Sequence, residues 1–277
     1  MVAVDGAQDQ DVVAPVPALN RFGVQVGRRL VSKARKRMTR WPIPLEFDSP
    51  LTGLRTEGCA LLPRMFSPAA LRELVEVAEH AATADDTPHV VAEVGGPQIE
   101  STRRQDLGDD EQEVLDRFWR HPTVLALLSA AERRHLDLDA LHCTVQRLVT
   151  DGADADGTPL IRSDVAHPTH AMWLYLSDVS EEDGPLVYYP GSQRLTARQL
   201  RGMYAGNAAG ASDWRVVSED EIAARKLEPR VFTSPKGTAV LVSTFGYHGW
   251  LPPAPSSERL VLHVEVARPG PTDAVDV

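Results

Sequence analysis

Cysteine is scarce: Cys59 and Cys143 are the only two in 277 residues, too few for a disulfide framework. Both stand in apolar runs and read as small buried hydrophobes rather than reactive thiols. No run of about 18 apolar residues occurs, so nothing reads as a membrane-spanning helix. The opening MVAVDGAQDQD lacks a basic start followed by an apolar stretch, so no signal peptide is read and a cytoplasmic protein is expected. Positive charge is not in excess either. A formal net charge of −10 excludes a general attraction to nucleic acid. No internal repeat is visible, and the sequence carries no signal of oligomeric state. What remains, 43% hydrophobic and 25% charged, is the composition of an ordinary globular protein. At this length a mainly β chain can form one domain.

The chain divides into an N-terminal extension over 1–45 and a single domain over 46–277. Residues 1–19 are acidic and polar with Pro15 and Pro17, a disordered composition. Residues 21–40 differ: Arg21, Arg28, Arg29, Lys33, Arg35, Lys36, Arg37 and Arg40 occur with no acid among them. Leu30, Val31, Ala34 and Met38 give that segment a narrow apolar face. It suits surface contact with a membrane or an acidic partner, and equally a solvated arm packed on the domain.

Residues 56–63 read as a short strand. Ser67 then caps a helix with Pro68 at its first position, and Leu71, Leu74, Val75 and Ala78 fall on one face. A second helical region spans 111–135, broken at His121-Pro122. From residue 139 the pattern changes to short runs of apolar and β-branched residues bounded by Gly, Pro or Asp. These are LHCTVQRLVT (141–150), PLIRSDV, AMWLYLSDV, GPLVYYP, RVFTSP, GTAVLVSTF and RLVLHVEVA. DGADADGTP (151–159) is a turn-rich loop whose acids Asp151, Asp154 and Asp156 suit either a hard cation or, more simply, solvent. The long segment 191–228, with Gly202, Gly206 and Gly210, reads as a loop forming part of a lid. Helices first and closely spaced strands later define an α+β chain whose helices buttress a β-sandwich.

The sequence Trp173-Leu-Tyr-Leu-Ser-Asp-Val, followed by Asp183-Gly-Pro-Leu-Val-Tyr-Tyr-Pro-Gly-Ser192, resembles the phytanoyl-CoA-dioxygenase-like family. Gln193 stands where that family's pattern ends in histidine. The resemblance covers 140–267 well and 50–135 loosely. It implies a mainly β double-stranded β-helix, the jelly-roll or cupin-like core, with buttressing helices. It also implies Fe(II) and 2-oxoglutarate as cofactors and C–H oxidation, usually hydroxylation, of a small molecule such as a specialised metabolite. Iron in this family is held by a His-x-Asp pair and a later histidine, leaving one face open. His248, in Gly246-Tyr-His-Gly249, resembles the later histidine. Arg259 lies eleven positions on and resembles the arginine that pairs with 2-oxoglutarate; its guanidinium fork suits a carboxylate. Gln146 matches a polar co-substrate contact. Tyr247 and Trp250 flank His248, either lining a cavity or simply packing.

The early half of the motif departs from the pattern. It falls on Arg162-Ser163-Asp164, where Asp164 matches the carboxylate but Arg162 replaces the histidine. A guanidinium offers a metal no lone pair, and its charge repels a cation. Three readings stay open. The register is shifted and His167 or His170 supplies the imidazole; the iron is lost; or iron binds through Asp164, His248 and water. An iron-free relative would be a binding or partner subunit, or a non-redox enzyme using Arg162 as an oxyanion or carboxylate clamp. The side on which Arg162 lies relative to His248 separates these readings.

Overall fold

The computed structural model describes residues 47–84, 87–93, 98–150, 159–164, 169–201 and 216–267. The basic segment 21–40, the acids of the 151–158 loop, His167 and the glycines at 202, 206 and 210 lie outside the described residues.

Helix α1 (Asp48–Thr56) leads into β1 (Cys59–Leu62). Helix α2 (Pro68–Thr83) starts as its sequence dictates, with Ser67 Oγ accepting from the Ala70 N–H at 3.3 Å. It buries Leu74, Ala78, Ala81 and Ala82. Strands β2 (Val90–Glu93) and β3 (Gln98–Arg103) follow, then α3 (Asp109–Trp119) and α4 (Pro122–Glu132). The break between the two helices falls at His121-Pro122 as expected; the His121 ring accepts from the Thr123 N–H at 3.2 Å. The later elements are β4 (Leu141–Val149), β5 (His170–Tyr175), β6 (Leu186–Tyr188), a short α5 (Glu219–Ala224) and β7 (Arg230–Val231). β8 (Ala239–Ser243), β9 (His248–Trp250) and β10 (Arg259–Val266) complete the set. No described helix is long and apolar enough to cross a membrane.

Seven strands form an antiparallel sheet in the order β1-β8-β5-β10-β4-β3-β2, and three form a second in the order β7-β6-β9. Strand alternation sorts the side chains. Leu260, Leu262 and Val264 of β10 and Met172 and Leu174 of β5 join the helices in one core. Trp173, Tyr175 and Val261 face the other way and pack with Leu186 and Tyr188 of the small sheet. Each fully buried leucine of the helical layer contributes about 1.5–3 kcal/mol. Helices thus cover the outer face of the large sheet, and the small sheet packs on its inner face, the jelly-roll arrangement with buttressing helices that the sequence implied. Trp119 of α3 ties the layers together: it is fully buried and its indole N–H donates to the His263 carbonyl at 3.1 Å.

Six stretches differ from the sequence reading. α1, β2 and β3 occupy stretches without an apolar period, and β3 is held mainly by its pairing with β4. Residues 159–164 form single bridges, Arg162 with His248 and with Val216, rather than a strand. α5 interrupts the expected loop, capped by Ser218 Oγ accepting from the Glu221 N–H. β9 begins on His248 itself, so the histidine is part of the small sheet.

Candidate active site

His248 and Arg162 face one another across an antiparallel bridge. The His248 N–H donates to the Arg162 carbonyl at 3.0 Å, and the Arg162 N–H donates to the His248 carbonyl at 2.8 Å. Residues opposed in this way project to the same face. The His248 ring is fixed by its Nδ1, 2.9 Å from the Gly246 carbonyl. A carbonyl only accepts, so Nδ1 carries the proton and Nε2 presents a lone pair. The Arg162 Nε–H points at that lone pair from 3.5 Å, a long contact made by an exposed side chain. Burial holds the His248 pKa below the usual imidazole value; Asp164 opposes that shift and Arg162 reinforces it. Glycine is required beside the ring, because a Cβ at Gly246 would collide with the Tyr188 hydroxyl.

Asp164 lies two residues beyond Arg162 on the same run, anchored by its N–H donating to the Thr244 carbonyl at 2.9 Å. Between them Ser163 Oγ donates to the Phe245 carbonyl at 2.6 Å, which fixes the alternation. Asp164 is buried and acts electrostatically on both His248 and His263.

Arg259, at the start of β10, is 3% exposed. Its guanidinium lies 3.8 Å from the centroid of the Trp250 ring and donates through Nη1 to the Asp183 carbonyl at 3.3 Å. Gly184, at φ +61°, leaves room beside it. Burial pulls the Arg259 pKa down to about 10. Among the described residues no carboxylate lies within ion-pair distance of it.

Gln146 of β4 also faces the interior, with its amide nitrogen 3.5 Å from His263 Nδ1. His170 is a correction to the sequence reading. It alternates with Ala171 and Trp173, so it turns to the helical face, where its Nδ1 lies 2.6 Å from Glu132 Oε1 of α4. Strand parity keeps it away from His248. His170→Ala is expected to cost about 1–3 kcal/mol by removing a largely buried hydrogen bond while leaving ligand affinity unchanged, read by thermal melts and calorimetry. The sequence reading passed over His263, although strand alternation places it on the same face as Arg259.

Iron needs a set of neutral nitrogen and anionic oxygen donors converging on one point. His248 Nε2 and Asp164 are suitable donors, and Arg162 is not. Among the described residues no group of three His, Cys, Asp or Glu is placed to hold a metal ion. A dicarboxylate fits better, because Arg259 is a buried cation on which Asp183 acts only at a distance, with no direct ion pair among the described residues.

These features define a jelly-roll protein with helices packed on its larger sheet. The phytanoyl-CoA dioxygenase (PhyH) profile matches residues 54–249, more than half of the sequence. The chain belongs to this family, an enzyme class of 2-oxoglutarate-dependent oxygenases. No curated protein matches it at a significant level. Among solved structures it resembles the epimerase SnoN in complex with Fe3+, alpha ketoglutarate and nogalamycin RO. That match has 16% identity and TM-score 0.61, over 82% of this chain and 85% of that one. It also resembles the carbocyclase SnoK from nogalamycin biosynthesis, at 15% identity and TM-score 0.55, over 82% and 88%. EctD from S. alaskensis with 2-oxoglutarate and 5-hydroxyectoine matches at 15% identity and TM-score 0.57, over 83% and 79%. At such identities the likeness is one of fold.

Proposed function

We propose that the protein is an Fe(II)/2-oxoglutarate-dependent oxidoreductase acting on a small molecule, with oxidation of a C–H bond, by hydroxylation or a related outcome, as its reaction. Buried Arg259, which forms no direct ion pair among the described residues, carries this reading, because a ligand carboxylate would supply the charge-assisted contact that a desolvated guanidinium otherwise lacks. Arg259 would clamp the distal carboxylate of 2-oxoglutarate, and Trp250 would hold the guanidinium plane. His248, its tautomer set by Gly246, and Asp164 would hold iron. His167 or water would stand in the third position. Bound iron would supply oxygen activation coupled to oxidative decarboxylation of 2-oxoglutarate to succinate and carbon dioxide. Trp250 shares the His248 side of β9, whereas Tyr247 turns to the other side and packs with Ile161 and Val187. The substrate expected is a compact molecule such as a specialised metabolite. SnoN and SnoK, whose names tie them to nogalamycin, are consistent with that class.

A second reading rests on one contact. Arg162 Nε–H occupies the His248 lone pair at 3.5 Å, the position a metal would need. The pocket would then be iron-free, with Arg162 as a carboxylate or oxyanion clamp. Anaerobic titration with iron(II) and 2-oxoglutarate separates the two. A weak visible charge-transfer band requiring both, and lost in His248→Ala, is expected for the oxygenase. No band and no retained iron would establish the iron-free pocket.

A further inference from the structure

Three aromatic side chains and a guanidinium form a continuous wall on the inner face of the large sheet. The His263 ring stacks on Trp173 with centroids 4.8 Å apart, and Trp173 meets Trp250 edge-on at 5.7 Å. Arg259 then lies over Trp250. His263 and Arg259 stand four residues apart on the same face of β10, about 13 Å along a strand that rises roughly 3.3 Å per residue. Both ends of this wall are incompletely satisfied. Arg259 has no ion-paired carboxylate among the described residues. At the other end, His263 Nε2 is buried without a hydrogen-bond partner among the described residues, as is Trp173 Nε1 beside it.

The His263 tautomer follows from its neighbours. Its Nδ1 lies 3.3 Å from the Thr144 hydroxyl and 3.5 Å from the Gln146 amide nitrogen. An amide nitrogen only donates, and the hydroxyl can do the same, so Nδ1 accepts and Nε2 carries the hydrogen. His263 therefore offers a buried N–H, and the Trp173 indole offers a second. Two buried donors without acceptors are costly to keep, at about 1–3 kcal/mol each. Such groups persist where a ligand completes them.

We infer that His263 is a specificity-determining residue of the co-substrate pocket: its Nε2–H, with Trp173 Nε1–H beside it, receives an oxygen of the oxo-acid end of a ligand whose distal carboxylate pairs with Arg259. This rests on the proposed function and deepens it. Gln146 then acts through His263, holding its tautomer, rather than only by touching the ligand. His263 is read as a neutral donor: burial pushes its pKa down to about 3, Arg162 and His142 push the same way, and Asp164 opposes them. An uncharged donor suits the end of the ligand nearest Arg162, where another positive charge would be unfavourable.

The test is calorimetric titration of the chelator-treated full chain with 2-oxoglutarate, together with 15N NMR of the His263 imidazole. Wild type is expected to bind, with Nε2 protonated in the free protein and its signal moving on addition of 2-oxoglutarate. His263→Leu should weaken binding about tenfold, the worth of one good hydrogen bond. His263→Gln, whose amide N–H can stand near the same place, should recover most of it. Thermal melts confirm that each variant folds. Equal affinity in His263→Leu, or an unprotonated Nε2, would overturn this inference. If Arg259→Met also leaves affinity unchanged, or if wild type binds no 2-oxoglutarate either metal-free or with iron(II) added anaerobically, the proposed function fails with it. Loss in Arg259→Met with no effect in His263→Leu sinks the inference alone.

Discussion

Arg259→Met is expected to weaken 2-oxoglutarate binding at least a hundredfold while leaving the free protein as stable as wild type or more so. The two effects have one cause. A guanidinium that is 3% exposed and makes no direct ion pair among the described residues is held at a cost to the fold, with a carbonyl at 3.3 Å, the Trp250 face and the more distant Asp183 charge in partial compensation. Methionine fills a similar volume without the charge, and apolar replacement of buried charged groups is often neutral or stabilising. The ligand complex depends on the charge. A charge-assisted, forked carboxylate contact contributes about 3 kcal/mol or more, which is a hundredfold in affinity. Paired calorimetry and thermal melts read both sides. A large drop in melting temperature, or an unchanged affinity, would mean that Arg259 is a structural residue and not the carboxylate clamp. Lysine at this position is expected to bind weakly, because a point charge lacks the fork and stacks poorly on indole.

The strands and the site are legible in the sequence to different depths. Apolar runs such as AVLVS and RLVLHVEV are buried along nearly their whole length, so composition alone marks them as strands. Ser67-Pro68 and His121-Pro122 mark helix starts by local chemistry and fall where expected. β2 and β3 stay hidden because an edge pair leans on its neighbour β4 more than on its own residues. In the site, the pairing of Arg162 with His248 depends on a bridge between residues far apart in the chain, which no local pattern encodes. The side on which His170 lies is a question of strand parity, and one residue of register decides it. His263 could have been found: once Arg259 is placed on a strand, every second residue shares its face.

Arg162→His is expected to tighten binding of a divalent metal at least a hundredfold relative to wild type. Position 162 sits opposite His248 across two backbone hydrogen bonds of 2.8 and 3.0 Å, so a side chain there projects beside the His248 lone pair. Asp164 follows at the spacing that gives the two side chains one face. Histidine at 162 would thus complete two imidazoles and a carboxylate on one side of a metal, the set that leaves the opposite face open. The substitution acts twice, adding a donor and removing a positive charge. Arg162→Gln separates these effects, since it removes the charge without adding an imidazole. Because Arg162 is exposed, solvent screens its repulsion, and glutamine is expected to recover no more than about tenfold. Anaerobic cobalt(II) titration, followed by its visible absorption, measures all three proteins. The result that sinks the idea is a wild type that already binds as tightly as Arg162→His. A donor outside the described residues, with His167 the first to test by His167→Ala, would then complete the site, and Arg162 would turn aside when metal enters. Its long 3.5 Å contact with His248 would allow that movement at little cost.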